Sequence, residues 1–218
     1  MPEALIDTDV LYKSTIYGLL SRWIAARPFG ANRFSMLVAA KYMIHKKISK
    51  RPPARGAAVA IAEFEAAVAT LNELEPSSEE IKIAAELEHE ASNLNLELDG
   101  GESILCAILM HRNSDYIFTG DKRAIRAMAE LIAQGLAPAL LLAEKVVCFE
   151  QLLMFLIRND NASEIRTLIC AAPTADKALT SCFSCQSPQA NVDSWHDGLN
   201  SYINSLRREA PGMLADVA

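Results

Sequence analysis

The chain has 218 residues, of which 51% are hydrophobic, and its formal net charge is −6. This length and hydrophobic content suit one well-buried core with an appendage, and they exclude an intrinsically disordered chain. No apolar stretch reaches the roughly 20 uninterrupted residues that a membrane span needs, and the opening MPEAL is not a secretory signal. We therefore expect a cytoplasmic protein that makes no contact with a membrane.

The first short segment, LIDTDVL at residues 5–11, sets two acids within an apolar run. Such a run is typical of a buried parallel strand that leads into a helix, so the acids fall at the carboxyl end of the strand. Carboxylates are costly to desolvate there unless a cation pairs with them. Asp7 and Asp9 are therefore candidates for a site in a cleft, or for capping the next helix.

The sequence then predicts mainly helices up to residue 97. Residues 12–26 carry apolar side chains at helical spacing, and the segment that begins at Arg33 fits either a short strand entering a helix or one continuous helix. The alanine-rich segment 56–75 and the segment opened by Ser77 are predicted to form an antiparallel helical hairpin.

A basic stretch lies within this region of an otherwise acidic protein. It runs from Lys41 to Arg55 and includes Lys46 and Lys47. Such a cluster suits contacts with the phosphates of a polyanion. It also suits the last turn of a helix that Pro52 stops, and the two interpretations are compatible.

A second apolar strand brings further acids. The segment Asp99-Gly100-Gly101-Glu102 is typical of a tight helix start, and residues 115–119 predict a buried strand that is followed by Asp121. Because parallel strands end at one edge of a sheet, we expect Asp7, Glu102 and Asp121 to converge there. Converging carboxylates favour Mg²⁺ or Mn²⁺, ions that serve phosphoryl chemistry.

Three neighbouring residues complete this candidate site. Thr119 stands two positions before Asp121 and is expected to orient that acid or an attacking water. Lys122 and Arg123 open the next helix, where they are candidates for contacting a substrate phosphate.

The order of the segments LIDTDVL, LDGGESILCAIL and DYIFTGDKRAI resembles a PIN-domain ribonuclease of the toxin type. Such domains have an acid after the first strand, a glycine-glutamate helix start, and Thr/Ser-x-Asp at the end of a later strand. The resemblance implies a three-layer α/β/α fold with a parallel sheet, and metal-dependent cleavage of RNA. The residues that it carries over to the metal site and catalysis are Asp7, Glu102, Asp121 and Thr119, with Asp9 or Asp99 as extra ligands.

One residue departs from the family pattern. Members usually have a further glutamate in the helix after the second strand, where this chain has Lys41. Fewer carboxylates weaken metal binding, and a lysine near the acids competes with the metal. This departure supports an alternative, a catalytically silent PIN-like module that binds RNA or a protein partner.

The segment DTDVL also resembles the Asp-x-Asp loop of haloacid-dehalogenase-type phosphatases. In that family Asp7 would be the nucleophile and Asp9 the general acid. The later motifs of that family are separate in sequence, but here they would all fall within residues 119–122. Val10 follows the second aspartate, where the family usually has a glycine. The nuclease is therefore the favoured hypothesis.

The resemblance covers roughly residues 4–150 and predicts two parts of the chain. Residues 1–150 form the PIN-like nuclease domain, with a helical insertion at about 57–97, and residues 151–218 form a helical extension. The extension carries an amphipathic helix around Trp195, which suits packing on the core or a homodimer. An antitoxin or another regulatory protein is the further partner that this family implies.

The five cysteines lie at scattered positions, namely Cys106, Cys148, Cys170, Cys182 and Cys185. Their odd number and mostly apolar surroundings predict buried free thiols in a reducing compartment. Cys182 and Cys185 have metal-ligand spacing, but packed thiols are favoured over a zinc site there.

Overall fold

The computed structural model describes residues 2–137, 139–187 and 189–216. Its centre is a parallel sheet with the strand order β3-β2-β1-β4-β5. The strands are β1 (Glu3–Ile6), β2 (Arg33–Leu37), β3 (Asn72–Leu74), β4 (Tyr116–Thr119) and β5 (Val146–Cys148). The central strand β1 is a short run of mainly apolar residues, because helices bury its side chains on both faces of the sheet.

Helices cover both faces of this sheet. In chain order they are α1 (Thr8–Tyr17), α2 (Leu20–Ala26), α3 (Val38–Lys50), α4 (Ala57–Val68), α5 (Ser78–Asn93), α6 (Gly100–Arg112), α7 (Lys122–Ala133), α8 (Ala139–Leu142), α9 (Phe149–Asn159), α10 (Ala162–Cys170), α11 (Lys177–Cys182) and α12 (Val192–Glu209). The helices α1 to α4 pack on one another, and α5 packs on α6 and α7. The predicted three-layer α/β/α fold is confirmed, since parallel strands need crossover connections and the helices of these connections cover the faces of the sheet.

The C-terminal helices continue this architecture. Helix α9 packs on α2 and α12, and α11 packs on α12. After α12 the chain returns to the sheet, where Leu214 bridges to Val146 of β5. The predicted boundary after residue 150 falls inside α9, and residues on both sides of it share one hydrophobic core.

The predicted helical hairpin of residues 56–96 is wrong. The alanine-rich segment forms α4 and then the edge strand β3, and the principal partner of α5 is α6. The region predicted as a helical insertion therefore also supplies a strand. Residues 33–50 form a strand followed by a helix, and residues 12–26 form two helices separated at Gly18, whose φ is +71°. No helix in the described part of the chain is long and apolar enough to cross a membrane.

The predicted start of α5 is confirmed. Ser77 and Glu80 form a capping box, in which the Ser77 hydroxyl accepts from Glu80 N at 3.3 Å. The buried Glu80 carboxylate also accepts two hydrogen bonds from Arg112, each 2.7 Å long. These bonds from Arg112 lower the pKa of Glu80 to about 2.

Cys170 and Cys185 form a disulfide, whereas Cys106, Cys148 and Cys182 are buried free thiols. The prediction of five free thiols is wrong for the bonded pair. The segment after α11 folds back on α10, where Arg166 donates to the Phe183 carbonyl at 3.0 Å. The disulfide removes the argument for a reducing compartment that rests on free thiols.

Candidate active site

Thr119 joins two of the predicted acids at the carboxyl ends of adjacent strands. β1 and β4 pair directly, with Ile6 opposite Phe118, so the next residues of both strands meet at the sheet edge. The Thr119 hydroxyl donates to Asp7 Oδ2 at 3.2 Å and accepts from Asp121 N at 3.1 Å. Asp7 and the backbone of Asp121 are therefore held by one buried side chain.

Asp7 is a buried carboxylate, with 6% of its surface exposed. It precedes α1 as the N-cap residue, yet its side chain makes no capping hydrogen bond. Burial and then the charge of Asp9 raise the pKa of Asp7 to about 6, and the hydrogen bond from Thr119 acts in the opposite direction. Hydrogen bonds from the backbone of Thr8 and Asp9 also favour the charged form, but they do not offset the effect of burial on this pKa.

Asp9 lies beside the loop that follows β4. A Cβ added to Gly120 would clash with Asp9 Oδ2, so the absence of a side chain at Gly120 lets this carboxylate approach. Lys13 pairs with Asp9 at 2.7 Å and with Asp176 at 2.7 Å. These two carboxylates outweigh the effect of burial and raise the pKa of Lys13.

The contact with Asp176 links the candidate site to the C-terminal helices, and sequence reasoning missed it. Asp176 caps α11 by accepting from Ala178 N at 2.9 Å and Leu179 N at 3.2 Å. The i, i+4 spacing of Asp9 and Lys13 was a signal for their pairing. No local pattern marks Asp176 as their neighbour, because the contact depends on how the extension folds back.

Asp99 and Glu102 form a capping box at the start of α6, which confirms the predicted helix start. Asp99 Oδ1 accepts from Gly101 N at 2.9 Å, and Asp99 N donates to Glu102 Oε2 at 3.1 Å. Burial, the side chain of Asp99 and the charges of Asp7 and Asp121 together raise the pKa of Glu102 to about 9. Glu102 and Asp121 line the same cleft.

Asp121 caps α7, and its carboxylate is shared with Arg123. Asp121 Oδ1 accepts from Arg123 N at 2.8 Å, and the Arg123 guanidinium lies 2.9 Å from Asp121 Oδ2. Burial acts to raise the pKa of Asp121, but the hydrogen bonds from Arg123 outweigh it and the pKa falls below its usual value. Arg123 also pairs with Glu97 at 2.6 Å.

Lys122 points toward the C-terminal helices. Its ammonium lies 2.5 Å from the buried Glu150 carboxylate and 4.6 Å from the centre of the Tyr202 ring. Lys122, which was predicted to contact a substrate phosphate, is therefore already paired within the protein.

A cleft of about 540 Å³ opens beside the acids. It is lined by Glu88, Ser92, Leu96, Glu97, Leu98, Asp99, Glu102, Asp121 and Arg123. Three of the predicted acids thus share one cleft, together with Arg123. Its acidic lining favours a cation over a bare phosphate.

The predicted basic residues of α3 make contacts with α1 and β3. Lys47 lies over the Tyr12 ring, 5.2 Å from its centre, and Lys46 is exposed. Lys41, the expected counter-charge to the acids, pairs with Glu73 of β3.

The acids do not form a ready-made metal cage. Within residues 2–137, 139–187 and 189–216, no group of three or more His, Cys, Asp or Glu side chains is placed to hold a metal ion. The carboxylates of Asp99 and Asp121 cap helices, and Asp9 is paired with Lys13.

No protein-family model matches the sequence, and no curated protein matches it. The functional argument therefore depends on the geometry of this edge of the sheet.

Proposed function

We propose that the chain is a metal-dependent endoribonuclease that resembles the toxin-type PIN domains. The observation that carries the proposal is the hydrogen-bonded link from Asp7 through Thr119 to Asp121 at the carboxyl ends of β1 and β4. Ligands and reactants of open parallel sheets bind at this edge. Glu102 adds a third acid, which lines the neighbouring cleft together with Asp121.

Oxygen ligands of this type suit Mg²⁺ or Mn²⁺, but the described side chains are not placed around one ion and would have to rearrange to hold it. Neither Asp7 nor Glu102 takes part in an ion pair with any described residue. A buried carboxylate without a cation is costly, and a divalent ion with oxygen ligands would remove that cost. Asp7, Glu102 and Asp121 would hold the ion, with Asp9 and Asp99 as further ligands.

Each remaining residue has a role in this proposal. The bound ion supplies Lewis acidity toward a phosphodiester. Thr119 fixes the orientation of the Asp7 carboxylate. Arg123, whose side chain is 63% exposed, offers its guanidinium to an RNA phosphate. Lys46 and Lys47 extend the electrostatic contact with the RNA backbone.

A silent PIN-like module that binds RNA or a protein is the second candidate. The pairing of Asp121 with Arg123 favours it, because the guanidinium takes the place beside this carboxylate that a metal would need. In a silent module this ion pair is permanent, and the site binds no metal.

RNA cleavage in Mn²⁺, in Mg²⁺ and in EDTA tests the proposal. We expect cleavage by the wild type with metal, and none with EDTA, Asp7→Asn or Glu102→Gln. The matched control is Asp197→Asn, since Asp197 is an exposed residue of α12 and should not affect cleavage. RNA binding without cleavage would establish the silent module instead. Turnover of a chromogenic phosphate monoester that is lost in Asp7→Asn would favour the phosphatase.

The predicted partners and compartment belong to the same proposal. A cytoplasmic toxin-type nuclease would be held inactive by an antitoxin or another regulatory protein, and its C-terminal helices would support a homodimer. Light scattering of the purified chain tests the dimer, because a monomer mass would exclude it.

A further inference from the structure

A second cleft lies along helix α9, away from the acids at the sheet edge. It has a volume of about 330 Å³, within the range of small-molecule sites. Helices α9 and α12 form its walls, and Phe29, from the loop before β2, closes one side. None of the residues that line it belongs to the candidate active site.

The cleft is basic, although the whole chain is acidic. Arg158 of α9 and Arg207 of α12 both line it, together with Asn200 and Asn204, and no carboxylate is among its lining residues. Arginine forks bind phosphate in a bidentate manner, and carboxamides donate and accept hydrogen bonds with the edge of a nucleobase. This lining fits a ligand with an anionic end and a polar aromatic end.

An intramolecular carboxylate already lies next to one of these guanidinium groups. Asp216 lies 3.0 Å from Arg207, and the Asp216 side chain is 79% exposed. An ion pair this exposed contributes little to stability, so a phosphate can displace it. Asp216 is not among the residues that line the cleft, so this pair shows that Arg207, at the cleft wall, is available to an anion.

Phe29 supplies an aromatic surface through a strained backbone. Its φ is +58°, in the left-handed region that non-glycine residues rarely adopt. The ring lies 5.6 Å from the ring of Phe155 and 5.7 Å from that of Phe118, centre to centre. Strain of this kind persists where the surrounding packing enforces it, and it is concentrated at functional sites.

We infer that this cleft binds a nucleoside 5′-monophosphate, either free or as the phosphorylated end of an RNA strand. The base lies against Phe29 and Phe155, and the phosphate lies between Arg158 and Arg207. The inference does not depend on the proposed nuclease, because it uses none of that site's residues.

Calorimetric titration in EDTA tests the inference with five probes: AMP, UMP, adenosine, ribose 5-phosphate and a 5′-phosphorylated dinucleotide. We expect a nucleotide to bind more tightly than adenosine or ribose 5-phosphate. If the dinucleotide binds more tightly than AMP and UMP, the ligand is an RNA end. If AMP or UMP binds more tightly than the dinucleotide, the ligand is a free nucleotide. No nucleotide binding at millimolar concentration, or equal binding of ribose 5-phosphate, would overturn the inference.

Variants locate the binding. Arg158→Gln should weaken nucleotide binding about tenfold or more, because it removes a charged hydrogen bond to phosphate. Phe29→Leu should also weaken binding, because it removes the aromatic ring while keeping an apolar side chain to pack against Phe118 and Phe155. Arg208→Gln is the matched control, an exposed arginine of α12 outside the cleft lining. Binding that both cleft variants leave unchanged would contradict the inference, and binding in Asp7→Asn must match the wild type.

Discussion

The Thr119 hydroxyl donates a hydrogen bond to the Asp7 carboxylate where β4 and β1 end side by side. Thr119 and Asp7 are 112 positions apart in the chain. The same oxygen accepts from the backbone of Asp121. One small side chain therefore sets the position of two acids that the candidate site needs.

Replacement of this hydroxyl tests its role. Thr119→Val should lower the free energy of unfolding by roughly 1–3 kcal/mol, because a buried carboxylate and a backbone N–H lose a partner. It should also raise the pKa of Asp7 above about 6, since the lost hydrogen bond favours the charged form. Denaturant unfolding and an NMR titration of the Asp7 carboxyl measure the two effects. Thr119→Ser, which keeps the hydroxyl, should retain the wild-type pKa.

Gly120 should not tolerate a side chain. Gly120→Ala forces the Asp9 carboxylate away from its place beside the loop and from Lys13, and we expect a loss of about 1 kcal/mol, because the end of a flexible side chain can move. Gly100→Ala is the control, because an added Cβ there meets only Glu88 Oε1 at 3.4 Å. Equal stabilities of the two variants would show that Asp9 moves at no cost.

Glu102 should make the protein less stable as the pH rises. Its pKa of about 9 in the folded chain exceeds the ordinary value of 4.5, so the folded state binds the extra proton. The unfolding free energy therefore falls between about pH 4.5 and 9. Glu102→Gln should remove this fall, which chemical denaturation at several pH values measures. An unchanged slope in the variant would assign the dependence to other groups.

Glu80 should make the protein less stable as the pH falls into the acid range. Its pKa of about 2 lies below the ordinary 4.5, so its stabilising effect is present above pH 4.5 and is lost as the pH falls toward 2. Arg112→Ala removes two hydrogen bonds from Glu80 but leaves those with His111 and Ser77 N, so it should lower stability at neutral pH by roughly 1–3 kcal/mol. At pH 2 the difference from the wild type should be smaller, and a constant difference would contradict the prediction.

The disulfide should stabilise the C-terminal segment. Cys170 and Cys185 are 15 residues apart, and closing a loop of that length contributes about 3 kcal/mol. Serine at both positions should lower the midpoint of denaturant unfolding, and a thiol reductant should lower that of the wild type by the same amount. The double variant should not respond to the reductant.

The sequence predicted the elements whose signals are local. An apolar run followed by an acid predicted β1 and β4, and Asp99 and Ser77 predicted the starts of α6 and α5. The strand–helix pattern predicted a parallel sheet, whereas the three-layer α/β/α fold was what the family resemblance implied. The strand end also predicted that Asp7 and Asp121 approach each other.

The features that sequence reasoning missed depend on contacts between distant segments. The strand β3 has only three residues, and its pairing with β2 decides its conformation. The Cys170–Cys185 bond and the Lys13–Asp176 pair both depend on how the segments after α9 fold back. Arg123 was predicted to meet a substrate, and its ion pair with Glu97 depends on where the segment between α5 and α6 lies, whereas its pair with Asp121 is local.

The central position of β1 has a consequence for synthesis of the chain. One edge of β1 pairs with β2, and the other edge pairs with β4, which ends at Thr119 and is synthesised later. A nascent chain that has not yet released residue 119 from the ribosome therefore presents an unpaired apolar edge, the kind of surface that aggregates or recruits chaperones.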